Sequence, residues 1–385
     1  KCNFCAHRLD VGLEPACVVV CPTQAILVGD MNDPASLVGE TVGRQPVAVR
    51  RPEKETHPKL FYVGAHQATL DPLAAARPDG GLFMWSEQGD VPHGVPAGNP
   101  GHANSSAAAM LAYDVPHRAP WDYRVSLYTW TKSVSAGAYV ATLLLLLLGL
   151  LEWSNPLWTW GAPLVALAFL GLTGVILIWD LEHPTRFHYL LLKPQWSSWL
   201  VWGGFIISGY GAVLAAHLAA GWFGRPELQK PLAIAGGPLG VMAAVYTAYL
   251  FAQAKARDLW QSPLLPPHLA AQAVLAGSGA MLLVATVVEP GAVRPLAWMF
   301  AASAAVHLVV TVGEITLTHG TAHAHLATRE MTRGKYARFF WVSMLLTIVA
   351  LAAPWLAVPA VVAGLIGLLA FEHAYVQAGQ SVPLA

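Results

Sequence analysis

Four cysteines stand at Cys2-x2-Cys5-x11-Cys17-x3-Cys21, all near the start of the 385-residue chain, and Pro22 follows the last. Thiolates at such spacings hold iron–sulfur clusters or zinc. A zinc ribbon would use two cysteine pairs. Here the second pair reads Cys-x3-Cys-Pro, the ferredoxin-type ending in which proline follows the last ligand, and iron–sulfur is the favoured reading. Two ligation patterns stay open. In two-cluster ferredoxins the last cysteine of a run serves the other cluster. That would give Cys2, Cys5 and Cys17 to one 4Fe–4S cluster and Cys21 to a neighbour. In the second pattern one cluster takes all four. The first pattern needs further ligands. The chain opens on Lys1 with the motif already at residue 2, so further upstream sequence and further cysteines are expected.

Other residues able to do chemistry lie inside apolar stretches, where an ionisable group is costly and signals function. Ser303, His307, Thr311, Glu314 and Thr318 recur at offsets of 4, 4, 3 and 4, which on a helix makes one polar stripe. Such a stripe suits a proton path or half of a quinone pocket. Ser303 and Thr318 read better as interhelical hydrogen bonders, and His307 and Glu314 as functional. Thr173 with Asp180, and Tyr246, Tyr249 and Gln253, add polar positions on two other segments. A further set gathers at segment ends: Lys132, Asp180, Glu182, His183, Arg186, Glu314, His319, His323, His325, Glu372, His373 and Tyr375. Of these, His183 or Glu314 would exchange the protons of a docked carrier, and Lys132 or Arg186 would steady its oxygen. Asp180, Glu182 and Arg186 also fit a plain helix-end belt with a local Asp180–Arg186 pair. His319-x3-His323-x-His325 lacks a carboxylate or cysteine at metal-site spacing. His307 and His217 are the histidines well inside spans, at unmatched depths, so haem is not expected.

The elements that must position these residues are membrane helices. Charged residues are 11% of the chain and hydrophobic ones 55%, with a mean hydropathy of +0.49. Soluble domains carry about 25% charged residues. Zero formal net charge gives no reason to invoke nucleic acid. Residues 1–32 form the cysteine segment, closing on a strand-like Ala25–Val28. Residues 33–125 are a Pro/Gly-rich linker or extended tail with one strand candidate, Lys59–Val63. Residues 126–385 hold eight apolar segments, most of about 17–23 residues and able to span a bilayer. They are Ser133–Glu152, Gly161–Asp180, Trp199–Gly221, Pro231–Ala252, Leu269–Val288, Leu296–Thr318, Phe339–Ala353 and Leu356–Val376. The seventh is short, and Ala353-Pro354 is either a kink or a turn. The expected fold is therefore mainly α: a polytopic bundle of about eight transmembrane helices, preceded by a partial ferredoxin-like segment and a long irregular linker. Trp153, Trp158, Trp160, Trp196, Trp199, Trp202, Trp222, Trp260 and Trp341 suit interfacial belts. On the N-terminal side lie Arg118, Arg124, Lys132, Arg186, Lys193, Lys255, Arg257, Arg329, Arg333, Lys335 and Arg338, against Arg225, Lys230 and Arg294 opposite. The positive-inside rule then places the cysteine segment and both termini in the cytoplasm.

Lys1–Asp30, KCNFCAHRLDVGLEPACVVVCPTQAILVGD, resembles the last cysteine motif of the four-cluster electron-transfer subunits of molybdopterin oxidoreductases. Trp179–Leu200, WDLEHPTRFHYLLLKPQWSSWL, and the stretch from Glu372, EHAYVQAGQSVPLA, resemble the NrfD-like polysulfide reductase membrane subunits. The resemblance implies a fused electron-transfer and membrane subunit in the inner membrane of a bacterium. It implies exchange of electrons between 4Fe–4S clusters and menaquinone or ubiquinone, with no haem and with a separate catalytic subunit holding a molybdopterin cofactor. Lys132, Asp180, His183, Arg186, Glu314 and His319 are the quinone-site candidates, chosen by position and chemistry. A proton-translocating subunit, with His307, Glu314 and an outer Glu289 on the path, is one alternative, and a passive anchor for the iron–sulfur segment is another.

Overall fold

Runs of Leu, Ala, Val and Gly with few charges leave a chain little choice in lipid, where each backbone amide must find an internal partner. The computed structural model describes residues 4–21, 23–50, 52–66, 70, 121–181, 183–255, 257–317, 319 and 321–382. These divide into two units, a small N-terminal one and a large helical one.

In the small unit, α1 (Ala6–Leu9) and α2 (Ala16–Val19) are single turns. A two-turn helix, α3 (Leu37–Arg44), starts where the Ser36 hydroxyl accepts the Gly39 N–H, satisfying one of the orphan donors of a helix start. Strands β1 (Val47–Ala48) and β2 (Tyr62–Val63) pair antiparallel, Val47 opposite Val63. The stretch expected to be irregular thus carries a helix and a short hairpin. The strand expected at Ala25–Val28 does not form: no partner segment is paired with it, and a lone strand leaves its ladder unmet. Residues 71–120 of the expected linker, Arg118 among them, lie outside the described residues.

Among the described residues, the large unit has seven helices long and apolar enough to cross a membrane. They are α4 (Tyr123–Leu147), α5 (Ala162–Asp180, entered through a π-helical turn at Leu157–Gly161), α6 (Trp199–Trp222), α7 (Gln229–Ala252), α8 (Leu265–Val288) and α9 (Val293–Thr316), with α12 (Val358–Ser381) closing the chain. Between α9 and α12 lie the short polar α10 (Ala322–Thr332) and α11 (Ala337–Ala350), the latter apolar but of 14 residues. The eight expected segments are all helical. Ala353-Pro354 is a turn rather than a kink. Phe339 meets His373 at one end, and the Cβ of Ala350 faces Gly364 at the other, so α11 and α12 run antiparallel. A single helical turn, Ala353–Leu356, and Ala357 at φ 44° join them.

Helix α4 is the axle of this unit. It packs against α5, α7, α8 and α12, and 72% of its apolar window is buried, against 28% for α6. Small residues allow the approach. A Cβ on Gly277 of α8 would lie 1.8 Å from the Gly137 carbonyl carbon of α4, and one on Gly236 of α7 would lie 2.7 Å from the Tyr139 ring. Close backbone contact through small residues is how membrane helices gain packing without a hydrophobic driving force. Exposed Trp196, Trp202, Trp222 and Trp341 suit interfacial belts. Trp158 and Trp260 do not. Trp158 is fully buried against Tyr139 and His217, and Trp260 stacks on Trp121; both face inward from turns that fold back on the bundle.

Candidate functional site

Helix α4 starts ten residues ahead of the expected Ser133, because the Asp122 carboxylate accepts the Arg124 N–H and caps it there. The added turns bring Tyr128 and Lys132 into register with Ser135, Tyr139 and Thr142, all buried, at offsets of 4, 3, 4 and 3. This stripe, missed from the sequence, is one face of the helix. Lys132 has no exposed surface. Its ammonium donates to the Ala244 carbonyl at 2.8 Å and to the Thr247 hydroxyl on α7, and sits 4.8 Å from the Tyr246 ring centroid. Glu372 on α12, also buried, lies within the field of Lys132, while the Thr129 hydroxyl donates to the Val125 and Ser126 carbonyls of its own helix. Oε1 of Glu372 has no hydrogen-bond partner among the described residues.

A second buried group centres on α9. His307 and Glu314 share its inner face, and α8 supplies His268. Nε2 of His268 lies 2.7 Å from Nδ1 of His307. On its other side, Nδ1 of His268 lies 3.9 Å from Oε2 of Glu314. Phe371 packs against both imidazoles. The Tyr375 hydroxyl points at Glu314 Oε1, 3.4 Å away, and at the Leu259 carbonyl, 3.1 Å away. Glu314, His268 and His307 thus form a line of titratable groups running inward about 10 Å along α9. The line stops at His307, whose Nε2 has no partner among the described residues. Deeper, Ser303 hydrogen-bonds back to Met299 and Phe300 of its own helix. Glu289 follows the far end of α8, roughly 30 Å of helix from His268, so the structure does not bring it to the line.

His268 escapes a sequence reading that starts the fifth span at Leu269. The signal is Pro266-Pro267, since proline belongs in the first turn of a helix and marks a start before His268. His268 joins His217 and His307 as a buried histidine, placed in the first turn of its helix. The third, His217, sits in a separate aromatic nest where its Nδ1 meets the Tyr139 hydroxyl at 3.1 Å.

At the outer end of the line Glu314 borders a cavity of about 370 Å³, walled by Leu259, Ser262, Leu264, Leu317 and His319. The His319 ring meets the Thr328 hydroxyl at 2.9 Å. Partial burial, with the nearby His325 ring, pushes its pKa below the ordinary imidazole range. His323 is also pushed down by burial and lies within the field of Asp258. Among the described residues no three His, Cys, Asp or Glu side chains converge as a metal site.

The remaining candidates lie apart from the cavity. Asp180 pairs with Arg124 of α4 at 3.1 Å rather than with Arg186, because α4 begins early enough to bring Arg124 alongside. His183 and Arg186 are exposed in the following loop. Tyr249 stacks on Trp199, and Gln253 ties Trp199 and Ser197 to α7. Thr173 bonds Thr131 at 2.8 Å, an interhelical contact. Glu182 and Thr318 lie outside the described residues. In the small unit, Cys5 caps α1 at φ 50°, and Cys17 and Cys21 carry free thiols one turn apart. The Cys21 sulfur accepts the Ala25 N–H at 3.1 Å, as cluster-bound sulfurs do. Cys5, Cys17 and Cys21 do not converge on one point, and Cys2 lies outside the described residues.

Residues 113–371 match the family described as polysulphide reductase, NrfD. A polytopic helical membrane subunit is the class so defined, and the chain belongs to the NrfD family. Its N-terminal segment matches iron–sulfur subunits of reductases. It is 46% identical over 63 residues to the arsenate respiratory reductase iron–sulfur subunit ArrB of Shewanella sp. strain ANA-3, covering 16% of this chain and 27% of that one. It is 43% identical over 90 residues to a tetrathionate reductase subunit of Salmonella typhimurium, covering 23% and 34%. With one polypeptide of the polysulfide reductase of Wolinella succinogenes it shares 48% over 64 residues, covering 16% and 34%. The chain spans about a third of the length of these relatives.

Proposed function

We propose that this chain carries electrons between iron–sulfur clusters and the membrane quinone pool for a reductase complex, with the quinone ring held in the Glu314–His319 cavity. The observation that carries the reading is a buried carboxylic acid at the wall of a mostly apolar cavity, backed by two hydrogen-bonded imidazoles. Binding sites for small apolar ligands have this make-up, an apolar lining with a few placed polar groups. Bound clusters supply one-electron transfer, and Cys2, Cys5, Cys17 and Cys21 are the thiolates to hold them. Quinone reduction takes two electrons and two protons. Glu314 delivers one proton to a ring oxygen, with Tyr375 holding its carboxyl in place and His268 restoring the proton. The half-exposed His319 on the same wall passes the second to the other ring oxygen. Lys132 and Glu372, buried on neighbouring helices within each other's field, lie toward the same end of the bundle. The basic loops support a cytoplasmic position for that end. The iron–sulfur relatives belong to reductase complexes, which supports a catalytic partner, a molybdopterin enzyme by the resemblance of the cysteine segment.

The 2.7 Å contact of His268 with His307 favours a second reading, in which the line conducts protons inward as well as serving the cavity. One assay separates the two. In proteoliposomes carrying the whole complex, Glu314→Gln is expected to slow quinone-analogue turnover about 100-fold, the usual worth of a general acid. His307→Phe is expected to leave turnover within about twofold if the line only feeds the cavity. Loss in His307→Phe of acidification beyond the scalar protons, with turnover kept, would mark conduction. Wild-type turnover in Glu314→Gln would remove the cavity as the quinone site.

A further inference from the structure

Helix α10 carries a second pattern that the quinone reading does not use. Its buried side holds Ala324, Leu326, Ala327 and Met331. Its exposed side holds His325 and Arg329, and Arg333 follows at the C-cap, each four residues from the last. At that interval the three stack along one face. With Thr328, His319 and the end of α9 they line a cavity of about 330 Å³. Among the described residues no carboxylate lies within 4.0 Å of either arginine's guanidinium. The nearby Glu330 turns away, its Oε2 accepting the Lys335 N–H.

Two apolar stripes run from this cavity toward the middle of the bundle. On α9, Thr316 lines the cavity, and Val312 and Val309 follow it one and two turns deeper, 45% and 71% exposed. On α11, Trp341 donates its indole N–H to the Thr332 carbonyl at the cavity edge. Leu345 and Ile348 lie below it, 62% and 54% exposed. Offsets of 3 and 4 put each set on one helix face, and α9 packs against α11. An exposed tryptophan anchored at the cavity edge marks headgroup depth. The lower stripes are then bathed in acyl chains, while the arginines sit level with phosphates. Guanidinium and phosphate form the strongest of the ordinary charge-assisted hydrogen bonds.

We propose that the His325–Arg329–Arg333 cavity seats the headgroup phosphate of an acidic phospholipid, whose acyl chains lie along the Val309–Val312 and Leu345–Ile348 stripes. The apolar stripes select a lipid over a free phosphate, and the unpaired arginines select an acidic lipid over a zwitterionic one. The proposal does not depend on the quinone reading.

The test is native mass spectrometry of the intact complex, delipidated in detergent and titrated with dioleoyl phosphatidylglycerol or dioleoyl phosphatidylcholine. Wild-type protein is expected to hold the phosphatidylglycerol adduct at least tenfold more tightly than the phosphatidylcholine one. Arg329→Gln with Arg333→Gln is expected to weaken the phosphatidylglycerol adduct about tenfold or more, each basic residue near a membrane surface being worth about 1 kcal/mol toward anionic lipid. Lys335→Gln, outside the cavity, is expected to leave it unchanged, and millimolar glycerol 1-phosphate is expected not to displace it. Equal retention of the two lipids would overturn the proposal, as would wild-type phosphatidylglycerol binding by the double arginine variant. Displacement by glycerol 1-phosphate would also overturn it, by making this a phosphate site. Arginine variants that bind lipid normally but shed a partner subunit would make the stripe a protein contact instead.

Discussion

A lysine with no exposed surface either gives up its charge or is answered by another, and the buried Glu372 acts on Lys132 across the α4–α12 contact. Deleting one member of a buried pair leaves the other uncompensated and typically costs about 3–5 kcal/mol, whereas replacing both by apolar or neutral groups is often close to neutral. Lys132→Met and Glu372→Gln are each expected to lower the thermal midpoint of the purified protein steeply, and the double variant to regain most of the loss. A double-mutant cycle measures this directly; simply additive losses would show that the two residues do not act as a pair. Lys132 and Glu372 were both legible in the sequence as charges beside apolar runs. Their pairing was not, because it depends on which helices touch. The same holds for Glu314 and His307, readable as one stripe, and for His268, which only the α8–α9 packing brings between them. His183 and Arg186 show the reverse case: their chemistry suits a site, but the loop that carries them leaves them in the open.

Helices of this bundle meet where side chains are smallest. At the α4–α8 crossing a Cβ on Gly137 would come within 1.7 Å of the Ala273 carbonyl oxygen, and no rotamer can relieve contact with a backbone. Gly277→Ala is expected to force the two helices apart and to cut the yield of folded protein in membranes several-fold or more, read by detergent-solubilised gel filtration. Gly171→Ala, with nothing within 4 Å of its Cβ, is the matched substitution expected to be silent. Behaviour of Gly277→Ala like that of Gly171→Ala would dismiss the tight crossing. Apolar run length was enough to locate all eight segments, since the bilayer's own thickness sets it. Their starts were less visible. Asp122 and the Pro266-Pro267 pair begin α4 and α8 earlier than hydropathy alone implies, and those first turns hold the residues of greatest chemical interest.

For the molecule as a whole, the Lys and Arg bias of the loops predicts which side each faces. Single cysteines at Lys193 and Lys255 are expected to react with a membrane-impermeant maleimide only in inverted vesicles, and one at Arg225 only in right-side-out vesicles. The reverse pattern would turn the protein over and move the Glu314 cavity to the other face. Run lengths and charges made the membrane class and the loop pattern legible, while the small unit was legible only at its cysteines, since its helix and hairpin are too short to leave a periodic signal. The short α11 carries a consequence for the membrane itself. Its 14 residues rise about 21 Å, well under the roughly 30 Å of a hydrocarbon core. Such hydrophobic mismatch is met by thinning the lipid annulus or by drawing flanking groups inward. The turn at Ala353–Leu356, with Trp355 exposed and set edge-on to Trp298, is the flanking group at hand. Local thinning of the bilayer beside this hairpin is the consequence expected of so short a helix.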